Sequence, residues 1–285
     1  MDQNAPRPDY KEMVRREWTG AAPLWQKWNH KFVIQTREVT ALVVKEAEVA
    51  AGMKVLDLAC GTGEPALSLA KAVGPSGRVV ATDLVPEMLE AARRNAADQG
   101  LSNIEFRAAD AEALPFANGE FDRVTCRFGI MFFPDIAKAM SEIRRVLKPG
   151  GRFCFAVFGT IDENPVFKVS LGPFLRRVTM PAPPPDAPHI FRFADEGKLA
   201  KTLSAAGFQG VRTYKQPVTF SWPGPPEECW QATSELAAPF KKLIEAIPPE
   251  EKETVIAEVL DGVRKFQTGD RINLPATVVI AVGAA

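Results

Sequence analysis

A short glycine-rich loop is the first feature of the sequence whose residue types could bind a ligand. It runs from Cys60 through Gly61 and Gly63 to Glu64 and Pro65, directly after an apolar run. Glycine permits positive φ and lets a ligand approach bare backbone. Parallel sheets bind ligands at the carboxyl ends of their strands, where strand order reverses. If the apolar run is the opening strand of such a sheet, the loop predicts a nucleotide-type ligand.

Three acidic residues lie in or directly after the first three predicted strands. Asp83 can accept hydrogen bonds from both hydroxyls of a ribose. Asp57 would repel a pyrophosphate but would attract an ammonium or a sulfonium group. Asp110 is placed to accept a hydrogen bond from an adenine amino group. Together these acids favour an adenosine-containing ligand that carries positive charge.

A dinucleotide site is an alternative interpretation of the same loop. The letters GTGEPA at 61–66 also fit the G-x-G-x-x-A pattern, so an NAD(P)-dependent oxidoreductase remains open. The only tyrosines, Tyr10 and Tyr214, form no Tyr-x-x-x-Lys pair, which weighs against that enzyme class. A non-catalytic protein that binds the ligand without using it also remains open, because its loop would have the same residues.

Alternating strands and helices form the frame that positions these residues. Seven apolar runs predict strands, at 54–59, 78–83, 104–110, 121–126, 152–159, 211–222 and 274–284. Helices are predicted at 65–73, 86–100, 135–147 and 193–208, and KPGG at 148–151 predicts a turn. The alternation is typical of a parallel sheet with right-handed crossovers. The predicted fold class is therefore α/β, a Rossmann-like, seven-stranded, mostly parallel sheet with helices on both faces.

The segments outside this alternation predict coverings for the ligand edge. We expect residues 1–52 to form an N-terminal helical lid and 53–159 to form the cofactor-binding core. Residues 160–192, with their proline cluster PAPPPDAP, and residues 226–268 are expected to be insertions that cover the substrate. The remaining helix and strands of the core sheet are assigned to 193–225 and 269–285.

Five successive stretches of the core resemble the motifs of class I S-adenosylmethionine-dependent methyltransferases. They are VLDLACGTGEPAL (55–67), ATDLVPEMLEAA (81–92), RAADAEALPF (107–116), FDRVTCRFGIMFFPD (121–135) and LKPGGRF (147–153). The chain is most similar to the ubiquinone/menaquinone-biosynthesis (UbiE-like) group of small-molecule enzymes. The resemblance implies S-adenosylmethionine as cofactor and methyl transfer to a small acceptor, aromatic, quinone-like or lipid-like, on oxygen or carbon.

The resemblance also implies a role for each matching residue. Asp57 and the backbone of Ala59, Cys60, Gly61 and Gly63 would hold the methionine part of the cofactor. The other implied contacts are Asp83 with the ribose, Leu84 and Met88 with the adenine face, Asp110 and Ala111 with the adenine amino edge, and Arg127 and Phe128 with the methionine and substrate side. Many members have glycine where Ala59 stands, and alanine fits there if its φ is negative.

A general base is needed only for some acceptors, such as a phenol or a carbon acid. The only histidines, His30 and His189, are the candidate catalytic residues of histidine type, although both positions are more typical of surface or packing side chains. Two histidines and four cysteines without a C-x-x-C pair predict no metal site.

The bulk composition narrows the possible partners and locations. Lys plus Arg equals Asp plus Glu at 35 each, which argues against a nucleic-acid partner and for a small-molecule substrate. A polar N-terminus and the lack of a long apolar run predict a cytoplasmic protein without stable membrane insertion. The sequence leaves open whether the protein is a monomer or a homodimer.

Overall fold

The computed structural model describes residues 9–179, 184, 187–236 and 243–285, and contains one mixed sheet. Its parallel strands are β1 (Lys54–Leu58), β2 (Arg78–Asp83), β3 (Ile104–Ala108), β4 (Phe121–Arg127) and β5 (Leu147–Phe158). Three more strands are antiparallel to their partners, namely β6 (Gln209–Pro223), β7 (Gln267–Thr268) and β8 (Arg271–Ala284). The order is β3-β2-β1-β4-β5-β8-β6, with the two-residue β7 beside β8.

The predicted α/β class is therefore confirmed, with β7 as an addition to the seven expected strands. The expected turn at 148–151 is the one wrong element in this region, because those residues belong to β5. The pairing of β4 with β5 is irregular between Phe121 and Arg123, which accommodates the extra length. Pro217 lies on β6 at the edge of the sheet, where a missing N–H disrupts no second neighbour.

Helices cover both faces of the sheet. They are α1 (Tyr10–Gln35), α2 (Arg37–Glu46), α3 (Ala66–Val73), α4 (Pro86–Asp98), α5 (Ile136–Val146), α6 (Pro165–Leu175), α7 (Glu196–Ala205), α8 (Pro226–Leu236) and α9 (Lys252–Arg264). Aspartates begin three of them: the side chains of Asp9, Asp135 and Asp195 accept backbone N–H groups of the first turn. Within the described ranges, no helix is both long and apolar enough to cross a bilayer.

Two hydrophobic layers fix the sheet between these helices. Leu56 and Leu58 of β1 pack on the side of α5 and α7, whereas Val55 packs with α3 and α4. All three side chains are at most 1% exposed, as expected for a central parallel strand covered on both faces. A third layer joins α1, α2, α6, α8 and α9 to β5, β6 and β8.

The direction of strand order reverses beside β1, which pairs with β2 on one side and β4 on the other. The loop after β1 therefore lies in the crevice where open α/β sheets bind ligands. Residue 180, residues 181–183 and 185–186 of the proline cluster, and residues 237–242 lie outside the described ranges.

Candidate functional site

The loop after β1 presents bare backbone, as its glycines predict. Gly61 has φ +53° and Gly63 has φ +127°, both in the region that favours glycine. A Cβ built on Gly61 would meet nothing within 4 Å, so this side of the loop has room for a ligand. Cys60 is buried and its N–H donates to the carbonyl of Thr82 at 2.9 Å, which fixes the loop to β2.

Asp83 is held by two backbone donors at the end of β2. Its Oδ2 accepts from the N–H of Gly61 and its Oδ1 from the N–H of Val85, each at 2.9 Å. Burial raises the pKa of Asp83, and these backbone hydrogen bonds partly offset the increase. The carboxylate thus joins the glycine loop to β2 and retains a second lone pair on each oxygen.

Asp57 is a fully buried acid inside β1. Its Oδ1 accepts a hydrogen bond from Thr125 Oγ1 at 2.7 Å, but its Oδ2 has no hydrogen-bond partner within the described residues. Burial raises the pKa of Asp57 to about 7, against the opposing effects of Thr125 and the Arg127 guanidinium. An unpartnered buried carboxylate oxygen is costly, so a cation close to it would be stabilising.

The carboxylate of Asp110, after β3, is already engaged by a residue of α1. Its Oδ1 accepts the N–H of Glu112 at 2.9 Å, and its Oδ2 lies 2.7 Å from the Nζ of Lys11. The same ammonium lies 2.5 Å from Oε2 of Glu112, whose side chain is 6% exposed. Burial alone would lower the pKa of Lys11, but the two carboxylates raise it overall. Ala111 between them is half-buried.

Met88 and Leu84 lie next to the same crevice. Met88 is 2% exposed and packs with Ala22 and Val85, while Trp18 and Trp25 of α1 lie against this group. Leu84 is half-buried between Asp83 and Val85. The surface predicted to face adenine is thus in contact with the N-terminal helix in this structure.

The side chain of Arg127 points to the junction of α1 and α2. Its NH1 donates to Oγ1 of Thr36 at 2.6 Å and of Thr40 at 2.8 Å, and its NH2 to the carbonyl of Glu64 at 3.2 Å. Burial lowers the pKa of Arg127, which is 9% exposed. Arg127 therefore ties the N-terminal helices to the end of the glycine loop.

Phe128 begins an aromatic cluster on the other side of the loop. Its ring stacks on Phe158 of β5, with centroids 4.2 Å apart and an interplanar angle of 6°. Phe158 in turn meets Phe167 at 5.1 Å and Phe220 at 6.1 Å, both edge to face. We call these four residues, Phe128, Phe158, Phe167 and Phe220, the phenylalanine cluster.

The expectation of a negative φ for Ala59 is wrong. Ala59 has φ +50°, in the left-handed region that disfavours a side chain. The backbone of Gly129 lies close to Ala59. A Cβ on Gly129 would lie 2.6 Å from the Cβ of Ala59 and 2.5 Å from Sγ of Cys126. The backbone after β4 thus packs directly on the glycine loop.

The two histidines lie in different surroundings. His30 is exposed on α1, and no hydrogen bond joins it to the crevice residues among the described ranges. His189 is half-buried, and its Nδ1 accepts the N–H of Phe191 at 3.2 Å. Burial lowers the pKa of His189, with Lys198 and Arg192 adding to the effect, which favours the neutral ring. A neutral ring whose Nδ1 accepts carries its proton on Nε2.

Several residues of the crevice were not predicted from the sequence. Lys11 and Asn29 of α1 reach the ends of β3 and β1, and Thr62 Oγ1 donates to Asn29 Oδ1 at 2.7 Å. Asn95 of α4 donates to the carbonyl of Thr62 at 2.8 Å. Only Glu112 had a signal in the sequence, because it stands two residues after Asp110.

The contacts described so far suit either S-adenosylmethionine or a nicotinamide dinucleotide, and a match to a family model decides between them. The model, described as the ubiE/COQ5 methyltransferase family, matches residues 28–182, more than half of the chain. The chain belongs to the ubiE/COQ5 methyltransferase family. It is therefore an S-adenosylmethionine-dependent methyltransferase, and the nicotinamide-dependent alternative is set aside.

A curated relative agrees with this family. The demethylmenaquinone methyltransferase of Staphylococcus saprophyticus is 37% identical over 182 residues, which cover 60% of this methyltransferase and 76% of that protein.

Solved structures agree with the fold. The YcgJ protein from Bacillus subtilis has a TM-score of 0.54 at 24% identity, covering 87% of this chain and 98% of that one. Phosphoethanolamine N-methyltransferase 2 of Haemonchus contortus, solved with S-adenosyl-L-methionine, has a TM-score of 0.58 at 15% identity, covering 100% of this chain and 61% of that one.

The residues of the crevice fit this cofactor. The open face of Gly61 leaves room for a ligand against backbone, and the unpartnered Oδ2 of Asp57 favours a nearby cation. Asp83 keeps lone pairs for hydroxyl donors after binding Gly61. A pyrophosphate would meet two buried carboxylates here, which is unfavourable.

Proposed function

We propose that this methyltransferase acts on an aromatic, quinone-like small molecule, at a ring carbon or at an oxygen bonded to the ring. The observation that carries the proposal is the position of the phenylalanine cluster beside the glycine loop. Gly129 packs on Ala59 of that loop, and Phe128, its neighbour in the chain, stacks on Phe158. Aromatic faces bind flat rings well in offset or edge-to-face arrangements.

The relative from Staphylococcus saprophyticus supports an acceptor of this chemistry, because its name gives demethylmenaquinone as the molecule it methylates. The balanced charge of the chain favours a small molecule over a nucleic acid. The phenylalanine cluster adds an apolar surface, which suits a ring without charge.

The cofactor would be held by the predicted residues at the ends of the first strands. Asp83 would bind the ribose hydroxyls, and Asp57 with the backbone from Ala59 to Gly63 would bind the methionine part. Asp110 and Ala111 would meet the adenine amino edge, with Leu84 and Met88 against the ring. S-adenosylmethionine supplies a methyl group already activated by its positive sulfur.

The remaining work of the protein is to orient the acceptor and to keep water out. Orientation can lower a barrier by about 7–11 kcal/mol. A hydroquinone acceptor reacts as its phenolate after its hydroxyl proton has passed to water, and the phenolate oxygen then needs a hydrogen-bond donor. His189 carries its proton on Nε2, so we propose it as that donor rather than as the base. His30, exposed on α1, has less support for a catalytic role.

We also propose that the segments outside the core cover the two ligands. α1 and α2, within residues 1–52, would be the lid over the cofactor, since α1 contacts Asp110 and Thr62 at the crevice. Residues 160–192 and 226–268 would wall the acceptor side. In support, α6 carries Phe167 of the phenylalanine cluster, and α8 and α9 share a hydrophobic layer with it.

A transfer assay with a labelled methyl group tests the acceptor. We expect label in a reduced 1,4-naphthoquinone that lacks the ring methyl group, and none in a primary amine or a thiol of similar size. Phe158→Leu should raise KM for the naphthoquinol at least fivefold without changing the Kd for S-adenosylhomocysteine. Phe106→Leu, the same change on β3 at the far edge of the sheet, serves as the matched control. Label in the amine alone would reject the proposal.

A further inference from the structure

We propose that α1 is a gate over the cofactor crevice, held closed by the ammonium of Lys11 on Asp110 and Glu112, which the incoming adenine must displace. This inference rests on the proposed cofactor contacts, because it concerns the same carboxylate of Asp110. Lys11 Nζ lies 2.7 Å from Oδ2 of Asp110. An adenine amino group using that oxygen would compete with Lys11 for it.

The gate meets the crevice at widely separated points of α1. Lys11, in its first turn, lies at the end of β3, and Asn29 accepts a hydrogen bond from Thr62 in the loop after β1. Between them, the ring of Trp18 meets Phe132 at 5.4 Å, edge to face, and packs against Met88. One helix, with Pro23 in its interior, therefore lies across both the adenine end and the methionine end of the proposed site.

The closed arrangement buries one polar N–H group of α1 at an energetic cost. Nε1 of Trp25 is buried without a hydrogen-bond partner among the described residues. A buried donor left unpaired destabilises the state that buries it. Opening α1 would expose this N–H to water. The unpaired N–H therefore reduces the free-energy difference that favours the closed state.

Pro23, inside α1, provides a hinge between the first part of the helix and the part of the N-terminal region that stays packed. Thr36 between α1 and α2 is non-helical, with φ −103° and ψ 10°. Val39 and Val43 of α2 are fully buried, and Arg127 holds Thr36 through NH1 at 2.6 Å. Trp28, in the later part of α1, is 6% exposed and donates to Glu235 of α8, so opening means that the part of α1 before Pro23 swings out while the rest of α1 and α2 remain on the core.

The ion pair has the right strength for a gate that a ligand can open. The side chains of Lys11 and Asp110 are 38% and 30% exposed, whereas that of Glu112 is 6% exposed. An exposed ion pair such as that of Lys11 with Asp110 contributes little free energy. Salt weakens it further, with a Debye length of about 10 Å at 0.1 M. A ligand that brings its own hydrogen bonds and ring contacts can replace such a pair.

Calorimetry with S-adenosylhomocysteine tests the gate, because this probe has no net charge and its binding reports the charges of the protein. Three proteins are compared at 20 mM and 300 mM salt: the unmodified chain, Lys11→Met and Arg15→Met. Arg15 is the matched control, since among the described residues its one ion-pair partner is Glu12 on its own helix. We expect Lys11→Met to bind three- to tenfold more tightly at low salt, with the difference shrinking at high salt, and Arg15→Met to bind as the unmodified chain does.

Hydrogen exchange gives a second readout without any ligand. Backbone amides of residues 10–22 should exchange faster in Lys11→Met than in Arg15→Met, while those of β1 stay unchanged. Equal or weaker S-adenosylhomocysteine binding by a folded Lys11→Met would overturn the gate and leave the proposed cofactor site standing. No binding by the unmodified chain would instead reject the proposed cofactor site itself.

Discussion

Oδ2 of Asp83 accepts the backbone N–H of Gly61 at 2.9 Å, so the end of β2 shapes the loop that follows β1. The same carboxylate is the proposed acceptor for ribose hydroxyls. One residue therefore orders the loop and binds the ligand that the loop approaches. These two effects can be separated by substitutions that keep or remove the hydrogen-bond acceptor.

Asp83→Ala should weaken S-adenosylmethionine binding by about 1.5–3 kcal/mol, the range for a hydrogen bond to a charged group. Asp83→Asn keeps one acceptor for Gly61 and should lose less. Calorimetry on both variants measures the two losses. Unchanged affinity in Asp83→Ala would remove this residue from the site.

Asp57 should make the protein less stable as pH rises. Its pKa is raised from 3.8 to about 7 by burial, so the folded state holds a proton that the unfolded state releases over that interval. Stability from this group is therefore present below about pH 4 and lost as pH approaches 7. Asp57→Asn cannot ionise, so its free energy of unfolding relative to the unmodified chain should rise by roughly 2–3 kcal/mol from pH 5 to pH 8.

Urea unfolding at the two pH values measures this difference. Asp122→Asn is the matched control, because ion pairing and hydrogen bonds with Lys148 and the backbone of Lys54 lower the pKa of Asp122 despite its partial burial. The stabilisation from ionised Asp122 is lost only at acid pH. The free energy of unfolding of Asp122→Asn relative to the unmodified chain should therefore be the same at pH 5 and pH 8. A pH-independent difference for Asp57→Asn would contradict the raised pKa.

Arg127 should limit the ionisation cost of Asp57. The guanidinium acts to lower the pKa of that carboxyl, so Arg127→Met should raise the pKa of Asp57 further. The loss of stability with pH should then continue above pH 7 in this variant. Arg127→Lys keeps the charge and should retain most of the original profile. Thermal melts from pH 5 to pH 9 distinguish the two substitutions, and identical profiles would rule out the coupling.

Ala59→Gly should stabilise the fold by about 0.5–1 kcal/mol, because glycine relieves the left-handed strain at a smaller entropic cost. Ala206→Gly is a control at a position with φ −78°, where the same change should destabilise. Denaturant unfolding of both variants tests the pair. A loss of stability at position 59 would mean that the alanine side chain contributes packing that outweighs the strain.

The positions of the strands along the chain, the glycine loop and the placement of Asp57, Asp83 and Asp110 in or just after the first three strands could be predicted from the sequence because their signals are local. Apolar runs and glycines determine structure within a few residues of themselves. The contact of Lys11 with Asp110 joins residues 99 positions apart, and nothing near Lys11 in the chain indicates it. The close approach of Gly129 to Ala59 likewise joins residues 70 positions apart, and only the folded chain brings them together.

The change of strand direction between β5 and β8 divides the protein into halves that can evolve separately. Every predicted cofactor contact precedes residue 130, whereas α6, α8 and α9 pack against β6 and β8 on the other side. Phe167 of α6 meets Phe158 of β5, so mutations in the later helices reshape the acceptor side, while no predicted cofactor contact lies on those helices. Such a scaffold can acquire a different acceptor while keeping the same source of methyl groups.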